Sequence, residues 1–100
     1  MRYIVLFEDT PDADPGLRTK NMPAHLDLLE SAAPQVLSAG PLRDGDSQPA
    51  GGLWIVEADS VGDVEDLVRR DPLFATGLRK SWTIRAWTRV FDNGQRLPLA

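Results

Sequence analysis

The chain opens on an unbroken apolar run, Tyr3 through Phe7, set within Arg2–Glu8 and stopped by Asp9-Thr10-Pro11. A run rich in β-branched and aromatic residues that does not alternate predicts a strand buried on both faces. Leu53–Ala58 has the same character and predicts a second strand of this kind. Gln35–Leu42 is a shorter strand ending at Gly40-Pro41, and Ser81–Phe91 is the last and longest. There Trp82, Ile84, Ala86 and Val90 share one face, while Thr83, Arg85, Trp87, Arg89 and Phe91 share the other. Asp92-Asn93-Gly94 is a turn signal.

Between the first two strands the rhythm becomes helical, with Met22, Leu26, Leu29 and Ala33 on one face. Pro23 suits the first turn of a helix and breaks the ladder in the middle of one. The pattern therefore predicts a short turn over Gly16–Asn21 and a main helix from Met22 to Ala33. A continuous helix kinked at Pro23 is the alternative. Later, Asp59 or Ser60 caps a helix with Val61, Val64 and Val68 on one side and Leu67 beside them. It ends by Asp71, because Pro72 disfavours helical backbone in the residue before it.

The order β-α-β-β-α-β predicts an α+β, ferredoxin-like fold with an antiparallel sheet and both helices on one face. Residues 1–92 make a single domain and 93–100 a loose C-terminal tail. Two helices cover one face only, yet the first and third strands are apolar on both. The uncovered face, Trp87 and Phe91 included, exceeds what monomers usually expose. A homodimer through the sheet face is the expected remedy.

Composition changes the picture mainly by exclusion. The chain has 100 residues, room for one small domain, and its 42% apolar and 26% charged content is ordinary for a folded chain. It has no cysteine, which removes disulfides, thiolate metal sites and cysteine nucleophiles. Its single histidine removes any site in this chain that needs two imidazoles. A net charge of −4 disfavours nucleic-acid binding. No apolar run approaches the ~20 residues of a membrane span, and the N-terminus turns acidic where a signal peptide stays apolar. A cytoplasmic protein is expected. Asp63, Glu65 and Asp66 read as a solvated helix face, and no metal is expected.

The histidine is His25. On a helical wheel it lies about 70° from the centre of the Met22/Leu26/Leu29/Ala33 stripe, at the edge of the buried face. Most lone histidines are structural. Were the helix continuous, Arg18 and Asn21 would share its edge, and a guanidinium beside an imidazole suits an anionic ligand. Asp71, in Arg70-Asp71-Pro72-Leu73-Phe74, is ordinarily a local cap or turn former. Beside His25 its carboxylate would fix the imidazole tautomer and raise its basicity. Spacing alone does not join the two.

Several segments together resemble the YciI-like (YCII-related) family of the dimeric α/β-barrel superfamily. They are Arg2–Phe7, Pro23-Ala24-His25-Leu26 with Leu28-Leu29, Ser38-Ala39-Gly40-Pro41-Leu42, Asp71-Pro72-Leu73-Phe74 with Gly77-Leu78, and Val90-Phe91. The resemblance implies two sheets stacking into a dimeric α/β barrel and an active-site His–Asp pair, His25 and Asp71. It also implies substrate-binding positions at Arg18 and Ser38. Met22 departs from the arginine that members often carry three residues before the histidine.

For function the resemblance implies a cofactor-free lyase or isomerase, dehydrochlorinase-like or muconolactone-isomerase-like, in which the pair performs general acid/base chemistry. The alternative is a non-catalytic small-molecule-binding or accessory protein using the same cleft. A cofactor-free oxygenase, with Trp54, Trp82 and Trp87 around an aromatic pocket, is a third reading. The expected partners are a second copy and a small anionic or oxygenated ring-type ligand, with no nucleic acid and no membrane.

Overall fold

In the structure, a computed structural model that describes residues 1–98, the opening apolar run is β1 (Arg2–Asp9). It is followed by α1 (Gly16–Ser31), β2 (Gln35–Leu42), β3 (Gly51–Glu57), α2 (Val61–Arg70), α3 (Pro72–Ala75) and β4 (Arg79–Ala86). A small hairpin, β5 (Phe91–Asp92) and β6 (Gln95–Arg96), ends the described chain. The four long strands form one antiparallel sheet in the order β2-β3-β1-β4. With the βαββαβ order, that is the ferredoxin-like α+β fold.

Alternation along the strands sorts the core. Tyr3, Val5 and Phe7 of β1, with Trp54 and Val56 of β3, are buried against Val64, Leu67 and Val68 of α2. Leu28 and Leu29 of α1 and Ala32, which caps it, pack on the same cluster. On the opposite face Ile4 pairs with Ile55 and Leu6 with Leu53, and no element of the described residues covers them. Leu6 is 40% exposed there.

β3 begins so close to β1 that only glycine fits at its first residue. A Cβ on Gly51 would lie 2.2 Å from the Phe7 carbonyl oxygen. Gly51→Ala is expected to push β3 off β1 and cost about 1–3 kcal/mol, the range for overpacking a tight site. Urea unfolding of the two proteins measures it.

Several elements differ from the sequence expectation. The first helix is continuous through Pro23, not a turn followed by a helix from Met22 to Ala33. Pro23 and Thr19 are both exposed, so the carbonyl that loses its partner faces water. The buried stripe of α1 is centred on His25 rather than beside it, while Leu26 and Ala33 are exposed. Val61, expected inward, is 51% exposed. β4 ends at Ala86, where Trp87 N–H makes the last bond to the Arg2 carbonyl. Val90 and Phe91 therefore belong to the hairpin instead of a longer strand. Its turn, Asn93-Gly94, has positive φ at both residues, as a two-residue hairpin requires. Gln95 and Arg96 are thus paired where a loose tail was expected, and residues 99 and 100 lie outside the described residues.

Candidate active site

The first half of α1 turns polar side chains inward where its second half turns apolar ones. Arg18, Asn21 and His25 continue the line of Leu28, Leu29 and Ala32 at helical spacing. The polar half faces α3 and the start of β4, with the His25 ring 6.1 Å from that of Trp54 at the edge of the core. His25 is buried at 7% exposure.

Asp71 stands at the corner between α2 and α3 and serves both. Its N–H donates to the Val68 carbonyl, closing α2, and its Oδ1 accepts from Leu73 N–H at 3.0 Å, opening α3. Asp71 is therefore a local cap and also a site residue. His25 Nδ1 lies 2.9 Å from both carboxylate oxygens, and Asp71 is only 1% exposed. A third donor to this carboxylate is Arg79 Nη1, 2.8 Å from Oδ2. The Arg79 guanidinium sits in an aromatic corner, 3.8 Å from the Phe7 ring centroid and 5.1 Å from that of Trp54.

Burial is the largest influence on the Asp71 carboxyl and opposes its ionisation. The His25 hydrogen bond, the Arg79 charge and the Leu73 N–H together outweigh it and hold the carboxyl below its ordinary value. Burial likewise pushes Arg79 down, and Asp71 opposes that shift. An ionised carboxylate only accepts, so the proton between the two side chains sits on His25 Nδ1. In the neutral ring Nε2 then carries the free lone pair. Nε2 has no hydrogen-bond partner among the described residues, and no sealed side-chain polar atom is left unpaired there, so Nε2 is not fully sealed from solvent. The arrangement can take up a proton at one atom and hold the resulting imidazolium beside a carboxylate.

The structure brings His25, Asp71 and Arg18 to one side of the fold and leaves Ser38 out. Ser38 pairs with Ile55, on the sheet face turned away from the helices, and is exposed. Arg18 is engaged by Asp9 in a short ion pair with both side chains mostly buried. Asn21 donates to the Leu17 carbonyl within its own helix. A cavity of about 800 Å³ opens beside Arg18, lined by Asp9, Thr10, Thr19, Arg43 and Leu78 among others. His25 and Asp71 do not line it. A smaller one of about 380 Å³, at the other end of β1, is lined by Met1, Glu57, Asp59, Asp63, Asp66 and Arg70.

Arg79 is the residue that sequence reasoning missed. Alternation from Trp82 and Ile84 turns Lys80, not Arg79, toward the helices. A β-bulge between Glu8 and Asp9 shifts the register, so that Asp9 pairs with Arg79 and Lys80 is skipped. Nothing in the sequence marks that bulge. Arg79, Lys80, Arg85 and Arg89 do not make a basic stripe, since Arg79 points inward and Lys80 and Arg89 meet Glu8 and Asp92. The three tryptophans do not converge either. Trp54 is in the core against Phe7, Trp82 packs on Phe74 and donates to Glu65, and Trp87 is exposed. Among the described residues no group of three or more acidic or histidine side chains converges as a metal site, and no helix is long and apolar enough to cross a membrane.

Fold and cluster together define a ferredoxin-like α+β domain with an inward-facing histidine–carboxylate pair at one end of its sheet. The chain belongs to the YCII-related domain family, whose model matches residues 1–88. No curated protein matches it significantly. Among solved structures it is similar to 5-chloro-2-hydroxyhydroquinone dehydrochlorinase (TftG) from Burkholderia phenoliruptrix AC1100, in complex with 2,5-dihydroxybenzoquinone. The two are 26% identical over 88% of this chain and 94% of that one, with a TM-score of 0.76. An Arabidopsis thaliana protein shares the fold at 12% identity and a TM-score of 0.52, over 98% of each chain. A dimeric protein of unknown function with a ferredoxin-like fold from Bacteroides fragilis is 16% identical, with a TM-score of 0.49 over 84% of this chain and 90% of that one.

Proposed function

We propose that the protein is a lyase of the dehydrochlorinase type, with His25 as general base and Asp71 as its orienting partner. The observation that carries this is His25 Nδ1 held 2.9 Å from both Asp71 oxygens while Nε2 keeps no hydrogen-bond partner among the described residues. The substrate class follows from the similarity to the dehydrochlorinase: a halogenated, polyhydroxylated six-membered ring. His25 Nε2 takes a proton from a ring hydroxyl and returns one to the chlorine-bearing carbon, giving a keto tautomer. The hydroxyl para to the new carbonyl then loses its proton, its electron pair becomes a second carbonyl, and the carbon–chlorine bond breaks to release chloride and leave a quinone. The substrate loses HCl overall, and the second hydroxyl's proton goes to solvent. Arg18 meets an oxyanion of the ring once Asp9 gives it up. An isomerase would use the same base and stop once the proton is back on the ring.

A second reading, ligand binding without turnover, is favoured by one observation: the large cavity touches Arg18 and not His25. Chloride release separates the two. With 5-chloro-2-hydroxyhydroquinone the protein is expected to release chloride and acid in equal amounts, followed by ion chromatography and pH-stat. Saturable binding of the ring in calorimetry with no chloride above the uncatalysed rate overturns the lyase reading in favour of the binding one.

The open sheet face calls for a partner as well. We propose a second copy, stacked sheet to sheet through Ile4, Leu6, Leu53 and Ile55 as a dimeric α/β barrel. Ser38 then belongs to that interface.

A further inference from the structure

The hairpin after β4 lies beyond the family match, which ends at residue 88, and beyond the site. Its two strands pair with each other, and it has no substantial packing on any other element of its own chain. Two-stranded hairpins standing alone in water are marginally stable at best. This one nevertheless carries Val90 and Phe91 at 57% and 58% exposure. The molecule measures 45 × 31 × 21 Å along its principal axes. The radius of gyration is 14.4 Å, against ~13 Å for a compact domain of this length.

We propose that residues 87–97 are a dimer arm, laid by each copy of the chain against the other with Val90 and Phe91 as anchors. The inference rests on the sheet-to-sheet dimer proposed above and says what completes it. Two observations point to a second copy as the occupant. The first is continuity: Trp87 extends β4 opposite Arg2, on the open face, and is 39% exposed. The apolar surface of that face therefore runs on into the arm. The second is size. The open face offers about fourteen outward residues from four strands, whereas a stable interface uses roughly 20–30 residues a side. The arm supplies the difference.

Sedimentation equilibrium of the full chain and of the Val90→Lys/Phe91→Lys double variant tests this. Both side chains are outside the core, so the variant is expected to keep the wild-type circular dichroism. The wild type is expected to be a dimer, and the variant's dimer dissociation constant to rise at least about tenfold, as for loss of anchor residues. A variant with unchanged dissociation constant overturns the arm and leaves the sheet-to-sheet dimer standing. A wild type that is monomeric overturns both. If the double variant loses its thermal transition, Phe91→Ser carries the same comparison with the same two outcomes.

Discussion

Arg79→Met is expected to destabilise the fold by about 3–5 kcal/mol, the cost of stripping one partner from a buried ion pair. Asp71 is 1% exposed and the Arg79 side chain 5%, so solvent screens the pair little. Methionine keeps much of the stem that packs beside Phe7 and Trp54, so the loss reports chiefly the missing charge. The carboxylate would be left with His25 and one backbone N–H, neither a permanent cation. Urea unfolding gives the number, and a double-mutant cycle gives its origin. In an Asp71→Asn background the carboxylate that Arg79 pairs with is gone, so Arg79→Met should there cost much less. A cost below about 1 kcal/mol in the otherwise wild-type chain would mean that Arg79 is only a surface-like contact.

That arginine also marks where the sequence stopped being informative. Strand positions were legible because apolar and β-branched runs are bounded by turn formers; β2 has the limits the pattern predicts, and Ser60 caps α2 through Asp63 N–H. The first helix was misread for a physical reason. Apolar periodicity locates a buried face only where that face meets core, and the inward face of α1 is polar over Arg18, Asn21 and His25. Leu26, counted toward the stripe, is 48% exposed. Asp71 read as a cap, and it is one, but the same carboxylate reaches a histidine 46 residues away in sequence. No spacing rule encodes that meeting. The family resemblance supplied it, and the sheet order produces it by setting β4 beside β1, with α1 and α3 packed over that end.

Asp71→Asn is expected to slow turnover by about 10²–10⁴-fold, as is His25→Ala, which is the usual contribution of a positioned acid–base group. The two variants should nonetheless differ in everything else. His25→Ala leaves the Asp71–Arg79 pair in place, so its unfolding free energy should fall far less than that of Arg79→Met. Asp71→Asn acts through the tautomer. Leu73 N–H donates to Oδ1 and Arg79 to Oδ2, so an amide nitrogen there opposes a donor in either orientation. If that nitrogen donates to His25, Nδ1 must accept, the proton moves to Nε2, and the base is blocked. The pH dependence of stability supplies the independent check. The Asp71 carboxyl is held below its ordinary value in the folded protein. Its contribution is therefore complete above the ordinary carboxylate range and is lost as pH falls through the lowered folded value. The stability gap between wild type and Asp71→Asn should narrow on acidification, and a gap that stays constant would mean the carboxyl is not held ionised. Turnover of Asp71→Asn within about threefold of wild type would remove the carboxylate from the mechanism, whereas the usual loss for an acid–base group would keep it there.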